Sequence, residues 1–131
     1  MKHLYFFVIV IFIQIANAQE QISQFQGKIY DVKEVDVKPG FSKGMQEFYN
    51  FLGKNFKVPE EDGISGKIII TFVVEIDGSI SDIKVLQDVG YGSGAEAIRV
   101  LKKSDKWNPA EKDGKQVRCL FKFPLNIQSG S

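Results

Sequence analysis

Few groups in this 131-residue chain have the means for chemistry. Cys119 is its one cysteine and His3 its one histidine. A cysteine nucleophile needs a neighbouring base to form the thiolate. His3 lies in an N-terminal stretch that reads as a removable leader. Cys119 shares the parity of Val117 and Phe121 in an alternating apolar run; there it reads as a small buried hydrophobe with an inert thiol. A lone cysteine also excludes an internal disulfide. Asp77, Asp82, Asp88, Asp105 and Asp113 are scattered, and Asp77 and Asp113 each precede a glycine, which is turn chemistry rather than a paired-carboxylate site. Glu60, Glu61 and Asp62 are adjacent but lack the spacing of a cation loop, so they read as a solvated loop. The Gly90-Tyr91-Gly92-Ser93-Gly94 stretch precedes a helix, whose N-terminus favours anions. Its spacing is not that of a dinucleotide fingerprint, and the strands before it form a hairpin. The expectation is therefore no enzyme, no metal and no cofactor.

Lys28–Lys38 alternates in part and suggests a short N-terminal strand, ended by Pro39-Gly40. Phe41, Met45, Phe48 and Leu52 fall on one helical face, which predicts a helix over Phe41–Phe56 with Ser42 as its N-cap and Tyr49 and Phe56 widening the face. Lys67–Ile76 reads as a strand apolar on both faces, hence one with neighbours and cover. Asp77-Gly78 signals a hairpin of the I′ type, with the return strand over Ile80–Val89. The parity change between Ile80 and Ile83 predicts a bulge near Ser81-Asp82. A second helix is expected over Ala95–Lys103, started by a Ser93/Glu96 capping box. Trp107 reads as a core anchor. Gln116–Ile127 alternates cleanly, and Pro124 within it marks an edge strand.

Residues 1–18 carry a secretory signature. Lys2 and His3 form a basic start, Leu4–Ile13 is an unbroken apolar run, and Ala16-Asn17-Ala18 is a small-x-small cleavage site. The run is too short to span a bilayer, which takes about 20 apolar residues. The chain has 17 basic and 16 acidic residues; removal of Lys2 balances them, which gives no reason to expect nucleic acid or an anionic membrane surface as partner. The expected organisation is a signal peptide over 1–18, a lead-in over 19–36 and one domain over 37–131.

Several motifs fall in a telling order. Pro59 follows the first helix, and Gly66–Phe72 carries G-x-[IV]-x-[IV]-x-[FV]. Asp77-Gly78-Ser79-Ile80 follows, then Glu96–Lys102 as E-A-I-R-x-x-K, then Trp107, Pro109, Gly114 and Val117. Together they resemble the C-terminal domain of TonB, over roughly Val37–Ile127. The resemblance implies an α+β fold, a small antiparallel sheet of three main strands with two helices on one face, to which the alternation over Lys28–Lys38 adds a short N-terminal strand. It implies a binding module of the periplasm or outer membrane, associated with TonB-dependent transport. The partner would be an outer-membrane receptor or other envelope protein, whose extended segment adds beside the last strand. The edge deduced from Pro124 fits that mode, and the peptide-binding residues expected are Arg118, Cys119, Leu120, Phe121 and Lys122. Full-length TonB also has a membrane helix and a Pro-rich spacer; the four prolines here are dispersed, so the chain resembles the stand-alone domain. The alternatives are an envelope protein that dimerises through its edge strand, and a small hydrolase on the same fold.

Overall fold

The structure is a computed structural model that describes residues 27–130. The expected signal peptide, its cleavage site and residues 19–26 of the lead-in lie outside the described residues. The elements in chain order are β1 (Ile29–Asp31), β2 (Gly40–Phe41), α1 (Met45–Asn55), β3 (Ser65–Val74), β4 (Ile80–Gln87), α2 (Ser93–Leu101), β5 (Trp107–Asn108), β6 (Ala110–Lys112) and β7 (Lys115–Gln128). The main sheet runs β1-β7-β3-β4, β6 forms a hairpin with the start of β7, and β2 pairs β5 in a separate ladder. The fold is α+β, as the residues suggested. The sheet is mixed, because β1 lies parallel to β7 while β3 and β4 pair antiparallel.

The parity of β3 explains its central place. Ile68, Ile70, Phe72 and Val74 face the helices and meet Phe48 and Leu52 of α1 and Ala97, Val100 and Leu101 of α2 in one core. Trp107 is buried at the centre of an aromatic cluster: its ring lies 4.9 Å from Phe48, 5.1 Å from Phe72 and 5.1 Å from Phe121, centroid to centroid. The Phe48 and Phe72 contacts are edge-to-face, and pairs of that kind add about 0.5–1.5 kcal/mol each beyond the area they bury. Trp107 Nε1 finds no hydrogen-bond partner among the described residues.

Three local expectations are corrected. The first helix begins at Met45 with Gly44 as its N-cap, and Phe41 is in β2 instead. Gly44, at φ 92°, breaks the chain between the two, so Ser42 caps nothing. The second helix begins at Ser93 after Gly92, at φ 76°, without a side-chain cap. Ser93 Oγ instead accepts the Val89 N–H, and the Glu96 carboxylate accepts from Lys57 N–H and Arg99. The β3–β4 hairpin is present, but Asp77 does not take the positive φ a I′ turn needs; Gly78 alone does, at 85°. Gly78 N–H donates to Glu75 C=O, and Glu75 N–H to Ser79 C=O, the pattern of a three-residue loop with a glycine bulge. Gly78 C=O accepts the Trp107 N–H, and a Cβ on Gly78 would press on the Trp107 carbonyl. The bulge predicted near Ser81-Asp82 is there: the register slips between Thr71 and Val73, and Asp82 sits at φ 49°.

Candidate functional site

The chemistry of this site is that of a sheet edge. In an antiparallel ladder both backbone groups of a residue point to the same side, and the side alternates along the strand. The β3–β7 register is continuous from Ser65↔Gln128 to Val74↔Cys119. Pro124, opposite Ile69, has no N–H to give, so it faces away from β3. Alternation then turns the backbone groups of Arg118, Leu120, Lys122 and Asn126 outward as well. On that outward side β1 pairs Arg118, Cys119 and Leu120 in register with Ile29, Tyr30 and Asp31. From Phe121 to Gln128 the outward side has no strand partner among the described residues. The edge inferred from Pro124 is thus real over this second half and covered over Arg118–Leu120.

A groove of about 630 Å³ opens where β1 ends. Val32, Pro39, Met45, Leu120 and Phe121 give it an apolar lining, and Lys33, Lys38 and Lys122 stand around it with Asp31. None of these three lysines forms an ion pair among the described residues. The segment after β1 forms one wall because its far end is fastened: Asp36 and Val37 N–H both donate to Glu111 C=O, at 2.9 and 3.1 Å. Phe121 connects the groove to the interior, with its ring 5.1 Å from Trp107 and 5.4 Å from Phe72.

The five residues expected to bind peptide therefore have different surroundings. Leu120, Phe121 and Lys122 line the groove. Cys119 points inward and is buried, and burial pushes its thiol up to about 11, with Asp31 and Glu34 adding to the shift. It is protonated at neutral pH. Arg118 is held in place. Its Nε donates to Glu75 Oε2 at 2.8 Å and its NH2 group to Oε1 at 3.0 Å, while Ser81 Oγ also donates to that carboxylate. The Glu75 side chain is 0% exposed and that of Arg118 14%. The hydrogen-bonded carboxylate raises the Arg118 pKa further above its ordinary value. Sequence reading missed this pair. The available signal was a lone acid in an apolar strand and a lone base on the outward parity of its neighbour.

The sheet's other edge is β4, and it suits strand addition poorly. Its pairing with β3 slips twice, between Ile69 and Ile70 and between Thr71 and Val73. Such bulges twist an edge away from a new partner. A second depression, about 400 Å³, lies between the Gly78–Ile80 turn and the end of α2. Lys106 Nζ there donates to Asp77 C=O at 3.3 Å, and no free strand edge of β7 adjoins it.

The family model for the Gram-negative bacterial TonB protein C-terminal matches residues 58–126, more than half of the chain. The chain belongs to the TonB C-terminal family. This is a family of non-enzymatic protein-interaction domains associated with the Gram-negative envelope, and its members interact with outer-membrane receptors. The match spans β3 through most of β7, so the TonB C-terminal frame includes the open edge as far as Asn126 but not β1. No match was found among curated proteins or solved structures. No helix among the described residues is long and apolar enough to cross a membrane.

Proposed function

We propose that this protein is a secreted, envelope-resident TonB-like module that takes an extended segment of an outer-membrane receptor as an added strand along the outer half of β7. The observation that carries this reading is the regular outward backbone from Phe121 to Gln128, which has no strand partner among the described residues and lies beside an apolar groove. An added strand gains main-chain hydrogen bonds from the outward groups of Lys122 and Asn126, and side-chain selection from Leu120, Phe121 and Met45. Lys33, Lys38 and Lys122 supply the positive charge that steers an acidic segment, a role Arg118 does not share because Glu75 neutralises it.

The test uses the immobilised protein and a detergent-solubilised outer-membrane fraction. Lys122→Pro removes one outward N–H and leaves the β3 ladder intact, as Pro124 does. Receptor capture by this variant is expected to fall about tenfold, the effect of one net hydrogen bond of about 1.4 kcal/mol. Unchanged capture by a folded variant places the receptor elsewhere.

A further inference from the structure

The covered half of the edge has a property that the open half lacks: its cover comes from the chain's own lead-in. We infer that β1 is a displaceable strand that holds the place of a ligand strand, so that the full receptor edge runs from Arg118 and is uncovered only when β1 leaves. The inference rests on the receptor reading above for the identity of the ligand.

Four observations support it. β1 has three residues and, among the described residues, pairs with β7 alone. Its side chains contribute little burial: Ile29 is 41% exposed, Asp31 is exposed, Tyr30 is half-buried, and none belongs to the hydrophobic core cluster. The bonds to Glu111 fasten Asp36 and Val37, well past the strand. Beyond its ladder to β7 and the Arg118 bond to Gly27 C=O, the side-chain contacts of β1 are local and open to water, Lys28 Nζ lying 3.5 Å from Glu34 and 4.6 Å from the centre of the Tyr30 ring. Exposed pairs of this sort resist opening weakly. Finally, departure of β1 leaves β7 in order. The Arg118 side chain is anchored on Glu75 independently of β1 and gives up only its bond from NH1 to Gly27 C=O, 3.1 Å, besides the backbone pairing. That donor and the outward groups of Arg118 and Leu120 then face an incoming strand. Elements with few buried contacts open locally while the rest of a domain stays folded. A ligand strand that replaces β1 also continues into the groove, because Leu120 closes one site and begins the other.

Two measurements on the full chain test this. The first is site-resolved amide hydrogen exchange. Leu120 N–H faces β1 and Phe123 N–H faces β3, so the account expects Leu120 to exchange at least about 100-fold faster, as local opening against global unfolding. Equal protection means that β1 opens only with the core, and the inference falls. The second is a lock. Tyr30 is the register partner of Cys119, and paired strands lie about 4.8 Å apart, within disulfide reach. Tyr30→Cys, oxidised to a disulfide with Cys119, is expected to capture at least tenfold less receptor from the solubilised outer-membrane fraction than the reduced form, with wild type indifferent to the oxidant. Equal capture in both redox states overturns the inference. Receptor captured by neither form nor by wild type overturns the receptor reading instead, and the exchange contrast alone then decides whether β1 is separable.

Discussion

Arg118 shows how one side chain's partner decides its role. It lies on the last strand among the residues expected to bind peptide, yet its guanidinium is paired twice with a carboxylate that no water reaches. Removing one member of such a pair leaves a buried charge uncompensated, which costs about 3–5 kcal/mol. Arg118→Ala should therefore lose stability on that scale in urea titration, whereas a surface lysine such as Lys122 changed to Ala should alter it by less than about 0.5 kcal/mol. Equal, small effects would mean that the pair is hydrated in solution. Cys119, next along the strand, has the opposite character. Its thiol is held protonated by burial, and the thiolate is the reactive form. Labelling of the native protein should be slow at pH 8 and keep rising with pH toward 11, without a plateau near the ordinary thiol value. Cys119→Ala should cost about 1–2 kcal/mol, as a small buried group does, and leave receptor capture unchanged.

At the scale of elements, α1 and α2 are tied by one carboxylate. Glu96 accepts from Lys57 N–H at 3.0 Å and from Arg99 Nε at 2.8 Å, and Arg99 also donates to Asn55 C=O at 2.9 Å. The Arg99 guanidinium holds the Glu96 carboxyl at about 2, below the usual value of 4.5. A carboxylate lowered on folding stabilises the native state above its unfolded pKa, and that stability is lost as pH falls through the folded one. The contribution is thus full above about 4.5 and disappears toward pH 2. Urea titrations should show wild type losing stability across that window more steeply than Glu96→Gln; parallel curves would remove Glu96 from the acid response. The same residue marks a limit of reading elements from sequence. Its position three after Ser93 suggests a capping box, but the tertiary partners Arg99 and Lys57 take the carboxylate first. The periodicities of β3, β7 and the second half of α1 were legible, because burial on one face leaves a period in the chain. The ends were less so: Gly44 and Gly92 set both helix starts through backbone φ, and Phe41 fits the helical stripe while packing from β2. The partial alternation of Lys28–Lys38 announced an N-terminal strand, which the structure confines to Ile29–Asp31, but its parallel pairing with β7 left no local trace because partner and direction depend on distant parts of the chain.

For the molecule as a whole, membership of the TonB C-terminal family and the geometry of one sheet edge meet on β7. The β4 edge is broken by bulges, the β1 side is covered over Arg118–Leu120, and the regular outward backbone that remains adjoins the groove. Pro124 made that edge legible because a missing N–H is a property of the residue itself, while the division of the edge by β1 depends on a contact between distant parts of the chain. The most direct measurement of the central claim is photo-crosslinking with p-benzoylphenylalanine placed in turn at Lys122, on the open edge, and at exposed Leu86 of β4, each variant incubated with the solubilised outer-membrane fraction. Capture of an outer-membrane receptor from position 122, with little product from position 86, is the predicted result. Receptor linked from position 86 but not 122, or position 122 linked only to a second copy of this chain, would contradict it.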